Sequence, residues 1–271
     1  MMDMKLEIRP HRTIRVSVEE NPESVATLFL IHGLGGRGDQ WRKQIKVLKQ
    51  HYTLIIPDLL GHGKSDKPRP GKTNPYDFME FSADLQVLFD KFAGDKNVLI
   101  GHSYGGALVT YLTYNNLTKV SRQILIAPSR CKPFRGIPKI YRLPLFILEI
   151  LRPLLENAFR NSAFDKNALN KVISEEYQAG KRNRLYVIKS MLLGMRNIPD
   201  IDITKISTPS LILIGKSDHV IPSNLIREFY THLPQHEFVV IEPAGHMLQL
   251  EQPEKVNHLF AEFLYPLTKG A

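Results

Sequence analysis

Short, continuous apolar runs recur along the chain at residues 26–31, 54–56, 98–100, 123–127, 210–215 and 238–241. Runs of this length without polar alternation fit strands covered on both faces. Between most of them lie helical patterns. Trp41, Ile45 and Leu48 share one face, as do Phe78, Phe81, Leu85, Leu88, Phe89 and Phe92. Further helices are expected over 107–112, 223–232 and from 253 to 264. Residues 5–9 and 12–18 alternate like an opening hairpin around Pro10-His11. Alternating strands and helices imply an α/β fold, with a mostly parallel sheet flanked by helices. After residue 127 the alternation stops for about 75 residues. The expected organisation is a core from 1–128 and 206–271, interrupted by a helical segment at 129–205 inserted between two strands.

The run at 98–100 leads into Gly101-His102-Ser103-Tyr104-Gly105-Gly106 and then the helical pattern from Ala107. Strand, sharp turn and helix is the setting that makes G-x-S-x-G a nucleophile elbow. A serine at so tight a turn sits in strained backbone, and the flanking glycines remove Cβ atoms that would collide. A serine hydroxyl also needs a base, and the base an orienting acid. Strand 211–214 is followed by Gly215-Lys216-Ser217-Asp218, and strand 238–241 by Glu242-Pro243-Ala244-Gly245-His246. Both loops lie past the carboxyl ends of strands, where open α/β sheets carry their sites. The expected set is Ser103 as nucleophile, His246 as general base and then acid, and Asp218 holding the imidazole tautomer. Glu242 is the rival acid but lies too close to His246 on the same loop. The site that follows residue 127 offers Pro128-Ser129-Arg130, without a carboxylate.

A tetrahedral intermediate needs N–H donors for its oxyanion. The expected pair is the backbone N–H of Tyr104 and that of Leu34, in the loop His32-Gly33-Leu34. Of the ten histidines, His32, His62 and His102 are expected to brace loops, and the side chain of His219 to point away from Asp218. His232 and His236 have H-x-x-x-H spacing but Pro234 between them, so no two histidines are expected at that spacing on a helix; Lys64-Ser65 follows no G-x-x-x-x-G, and neither a metal nor a cofactor is expected.

Taken together, HGLGG at 32–36, DLLGHGKSD at 58–66, GHSYGG at 101–106, GKSDHVIP at 215–222 and PAGHMLQLEQPE at 243–254 resemble the α/β-hydrolase superfamily. The nearest likeness is to capped abhydrolase-domain serine hydrolases of monoacylglycerol-lipase-like and carboxylesterase-like type. The resemblance covers the chain outside 129–205, which corresponds to the cap or lid. It implies an α/β-hydrolase fold and a cofactor-free serine hydrolase of carboxylic esters acting through an acyl-enzyme, with medium or long acyl chains. Alternatives with the same triad are a thioesterase or a C–C bond hydrolase. A non-catalytic ligand-binding module is the reading from another class. Members with an aspartate nucleophile are set aside by Ser103. The apolar stretch 140–155 is expected to line an acyl pocket or touch lipid, with Tyr177, Tyr186, Met191 and Met195 contributing.

Net charge is +9, and residues 129–205 hold 15 Lys+Arg against 7 Asp+Glu. The basic excess therefore sits in the insert, which suggests weak contact with anionic membrane surfaces or an anionic substrate tail. No recognition motif accompanies it, so nucleic acid is not an expected partner. A single cysteine, Cys131, allows no internal disulfide. The charged N-terminal residues and the lack of a long apolar run lead to the expectation of a soluble cytoplasmic protein.

Overall fold

The computed structural model describes residues 2–268 of the 271-residue chain. The hairpin forms from β1 (Met2–Arg9) and β2 (Arg12–Glu19), with His11 at φ 62° in its turn. There follow β3 (Thr27–Ile31), α1 (Arg42–Leu48), β4 (Thr53–Asp58), α2 (Phe78–Phe92), β5 (Asn97–His102), α3 (Tyr104–Asn115) and β6 (Val120–Ile126). Three helices come next: α4 (Leu145–Ala163), α5 (Asn170–Gly180) and α6 (Leu185–Gly194). The chain then returns to the sheet with β7 (Ser210–Gly215), α7 (Ser223–Tyr230), β8 (His236–Ile241), α8 (Leu248–Glu251) and α9 (Pro253–Thr268).

The eight strands lie in the order β1-β2-β4-β3-β5-β6-β7-β8. β2 pairs antiparallel with both β1 and β4, and every other pair is parallel. Leu30 pairs with Ile100, Ile100 with Ile124 and Ile124 with Leu211, so buried aliphatic side chains stand in a row across the sheet. Because strand side chains alternate, each strand feeds two cores. Leu28, Leu30, Ile100, Ile124 and Leu213 pack with Trp41 and Phe260 on one face. Phe29, Leu99, Leu125 and Ile212 pack with Phe81, Phe89, Tyr104 and Tyr230 on the other. The sheet is thus covered on both sides, as the continuous apolar runs require.

Boundaries depart from the expected ones for local reasons. Trp41 lies in a single 3-10 turn, Gly38–Trp41, ahead of α1. The strand expected to reach Ala127 stops at Ile126, because Ala127 takes φ 40° while its N–H bonds to the Leu213 carbonyl at 2.7 Å. The last helix runs beyond Leu264 to Thr268, with Pro266 inside it. In the apolar stretch of 129–205, α4 turns one side outward: Phe146, Ile150 and Leu154 are 67%, 74% and 67% exposed. Spaced by four, they share one stripe. Among the described residues no helix is long and apolar enough to cross a membrane.

Candidate active site

Ser103 stands at the join of β5 and α3 with φ 54° and ψ −122°, backbone geometry that a non-glycine residue rarely adopts. Its N–H donates to the Ile126 carbonyl at 2.9 Å, and its carbonyl accepts from Gly106 at 2.8 Å and Ser129 at 2.9 Å. A Cβ on Gly101 would collide with the Gly105 carbonyl, and one on Gly105 with the Ile31 carbonyl. The glycines therefore let strand and helix meet closely enough to form the turn.

Asp218 follows β7 and His246 follows β8, and the two meet. His246 Nδ1 lies 2.8 Å from Asp218 Oδ2. The other oxygen, Oδ1, accepts the N–H groups of Val220 at 2.8 Å and Ile221 at 3.0 Å. Burial works to raise the Asp218 carboxyl, but attraction to the His246 ring and these donors outweigh it and hold the carboxyl below its ordinary value of 3.8. An ionised Asp218 accepts from Nδ1–H and leaves Nε2 as the basic nitrogen. Ser103 and His246 line one cavity of about 230 Å³. They make no hydrogen bond to each other, a looseness common in such pairs before substrate binds. Glu242 is turned away and pairs with Lys216 at 2.7 Å.

The loop after β3 packs directly on the serine: a Cβ on Gly33 would come within 2.8 Å of Ser103 Cβ. The N–H groups of Leu34 and Tyr104 donate to no acceptor among the described residues, whereas those of Gly35 and Gly36 are bonded. His62 Nε2 receives the Gly35 N–H at 3.1 Å, and His32 Nε2 receives the Leu59 N–H at 2.9 Å. His102 Nε2 contacts the His246 carbonyl at 2.9 Å. Burial lowers all three histidines, His62 and His102 to about 3, so they stay neutral and act as braces.

Several supporting residues carry no sequence signal of their own. Glu251 accepts the N–H groups of Gly245 and Met247, on either side of His246, at 3.1 and 3.2 Å, and that of Asp165 at 2.8 Å. The Ala163 carbonyl, at the end of α4, accepts the His246 N–H at 2.8 Å. Glu176 of α5 is buried in the cavity wall and receives Arg37 at 3.0 Å, Arg42 at 3.2 Å and Gln40 at 2.8 Å. Of the side chains expected in the wall, Tyr141, Leu155 and Tyr177 line it. Met191 is instead fully buried and Met195 packs on the main core, while the Tyr186 hydroxyl donates to the Lys67 carbonyl at 2.7 Å. Among the described residues, no three His, Cys, Asp or Glu side chains converge to hold a metal ion.

Protein ABHD8 of Mus musculus is 30% identical over 269 residues, covering 94% of this chain and 60% of that protein. The chain thus spans about 60% of the length of these relatives. The pimeloyl-[acyl-carrier protein] methyl ester esterase of Vibrio campbellii is 28% identical, covering 81% of this chain and 87% of its own. Among solved structures, a thermophilic esterase from Thermogutta terrifontis superposes with a TM-score of 0.82 at 23% identity, covering 98% of this chain and 99% of that one. An esterase from Exiguobacterium antarcticum gives 0.82 at 20% identity, covering 97% and 100%. These superpositions speak for the fold. Residues 28–259 match the family described as alpha/beta hydrolase, and with the sheet order and crossovers above, the chain belongs to the alpha/beta hydrolase family.

Proposed function

We propose that the chain hydrolyses carboxylic esters with apolar acyl groups through a serine acyl-enzyme. The observation that carries this reading is the placement of Ser103, at positive φ, in the cavity that holds His246 bonded to Asp218. In the proposed reaction Ser103 Oγ attacks the ester carbonyl and His246 Nε2 takes its proton. Asp218 holds the tautomer and stabilises the imidazolium that forms. The carbonyl oxygen, now negative, receives the N–H groups of Leu34 and Tyr104. His246 then protonates the leaving alcohol, and water repeats the sequence on the acyl-enzyme. Leu155, Phe164, Leu185, Ile188, Val220 and Met247 give the cavity an apolar wall for the acyl chain.

We further propose that residues 129–205 form the cap over this site and touch anionic lipid surfaces weakly. The exposed stripe of Phe146, Ile150 and Leu154 in a basic segment supports that contact.

The test of the chemistry is fluorophosphonate labelling, followed by p-nitrophenyl esters of rising chain length. Ser103→Ala is expected to abolish labelling and turnover in a protein that still melts cooperatively. Labelling that persists at another serine overturns the assignment, and absent turnover with intact binding returns the chain to a non-catalytic module. Thioester and C–C substrates in the same panel separate the remaining uses of such a triad.

A further inference from the structure

Arg160 and Phe164 line two cavities at once. One is the apolar cavity with Ser103. The other, of about 510 Å³, has a mixed wall, in which Phe164 and Ile173 stand beside the polar side chains Asn161, Asp165, Lys166, Asn170, Ser217 and His219. Its acid, Asp165, is already engaged. Oδ1 accepts the Asn167 N–H at 2.8 Å and Oδ2 the Ser217 hydroxyl at 2.5 Å.

The cations around this junction differ from those deeper in the wall. Arg37 is held by Glu176 at 3.0 Å, and Arg152 by Glu149 at 2.9 Å and Glu156 at 3.4 Å. Arg160 donates to Asn157 Oδ1 at 2.5 Å and lies 5.9 Å over the Tyr177 ring, with Lys181 on the same ring at 4.6 Å. Among the described residues, Arg160, Lys166 and Lys181 form no ion pair with a carboxylate. Arg160 thus stands where the two cavities adjoin without a carboxylate of its own, and Lys166 lines the second cavity, where its charge also attracts the Asp165 carboxylate.

Building on the ester-hydrolase reading, we infer that this second cavity is an anion subsite, and that the substrate is an ester carrying a carboxylate or phosphate away from the bond that is cut. The apolar part lies over Ser103 and the anion reaches Arg160 and Lys166. A guanidinium offers such oxyanions two parallel donors, and an ammonium adds a point charge. A solvated ion pair of this kind accounts for about a tenfold preference, the equivalent of roughly 1.4 kcal/mol.

The experiment compares four esters: neutral p-nitrophenyl hexanoate, mono-p-nitrophenyl adipate, 4-(hexanoyloxy)benzoate, and 4-(hexanoyloxy)phenyl phosphate. The expected result is a kcat/KM about tenfold higher for at least one charged ester than for the neutral one, mainly through KM. Which ester carries it tells carboxylate from phosphate and acyl side from alcohol side. Arg160→Gln and Lys166→Gln should each shrink the charged-to-neutral ratio severalfold, while Arg160→Lys should retain most of it. Equal kcat/KM for all four, or a preference that survives both glutamine variants, overturns the subsite. Failure of all four to turn over counts against the ester-hydrolase reading instead. The subsite is then decided by calorimetric titration of adipate and inorganic phosphate into the wild-type protein and Arg160→Gln. Binding that weakens in the variant supports it; no binding, or equal binding, overturns it.

Discussion

On the sheet side of the cavity, backbone meets backbone. Gly101 and Gly105 leave no room for a Cβ at the elbow, Gly33 lies against Ser103, and a Cβ on Gly215 would collide with the Gly245 carbonyl beside His246. On the helical side, polar side chains do most of the holding, joined by the Ala163 and Ser162 carbonyls at the end of α4. Glu176 takes Arg37, Arg42 and Gln40, and Asn183 Nδ2 donates to the Gly35 carbonyl at 2.7 Å. Contacts of the first kind leave the proposed reacting groups no freedom to move alone. Contacts of the second kind exchange with water and feel salt. On the proposed function, the contrast would put bond-making on the sheet side and substrate selection on the helical side.

Asp218→Asn probes the first side hardest. In the serine-protease template the corresponding change costs about 10⁴ in kcat, through the wrong imidazole tautomer. A fall of that order with KM little changed is expected here, measured on a p-nitrophenyl ester. An equal effect on KM would break the division of labour. The same variant carries a stability readout. The Asp218 carboxyl lies below its ordinary 3.8, since the His246 ring and the backbone donors overcome the effect of burial. Its contribution is therefore complete above the unfolded-state pKa and lost as pH falls through the lower folded value. Melting temperature followed from about pH 5 downward should lose that acid-side component in Asp218→Asn.

Glu176→Gln tests the second side. The variant removes a charge that two guanidiniums share, one partner 20% and the other 29% exposed, so solvent softens the loss. A cost of about 1–3 kcal/mol is expected. KM should rise severalfold and kcat stay within about twofold. A collapse of kcat instead would place Glu176 among the groups that position the chemistry. The smallest effect is expected from replacing Phe146, Ile150 and Leu154 together by Ser. Co-sedimentation with anionic vesicles at low salt should drop, while turnover of a soluble short-chain ester should hold. Equal partitioning of the wild-type protein to neutral and anionic vesicles would end the surface-contact proposal.

What the sequence disclosed follows the same division. Strands such as 98–100 and 211–214 are legible because both faces are buried, and the candidate residues are legible because each follows a strand end. β8 is an exception that proves instructive: His236 and Glu237 are exposed, so its first residues look polar and the strand is read short. The helical side was harder. Glu175 and Glu176 are adjacent and chemically alike, yet the first is 43% exposed and the second 6%, because only one meets Arg37. Periodicity shows that α4 has an apolar face but not which neighbour it meets; Phe146, Ile150 and Leu154 meet none. Nor does QLEQPE distinguish Glu251, whose burial raises its carboxyl and whose oxygens hold the His246 loop, from Glu254.

The bond from the His246 backbone N–H to the Ala163 carbonyl ties the end of α4 to the loop that carries the proposed base, and the His219 N–H adds a second tie to the Ser162 carbonyl at 3.2 Å. The two ends of that linkage cannot be set independently. A displacement of the last turn of α4 would therefore withdraw a support from the proposed base. On the proposed function, admission of substrate and alignment of the base would then be coupled through this one junction.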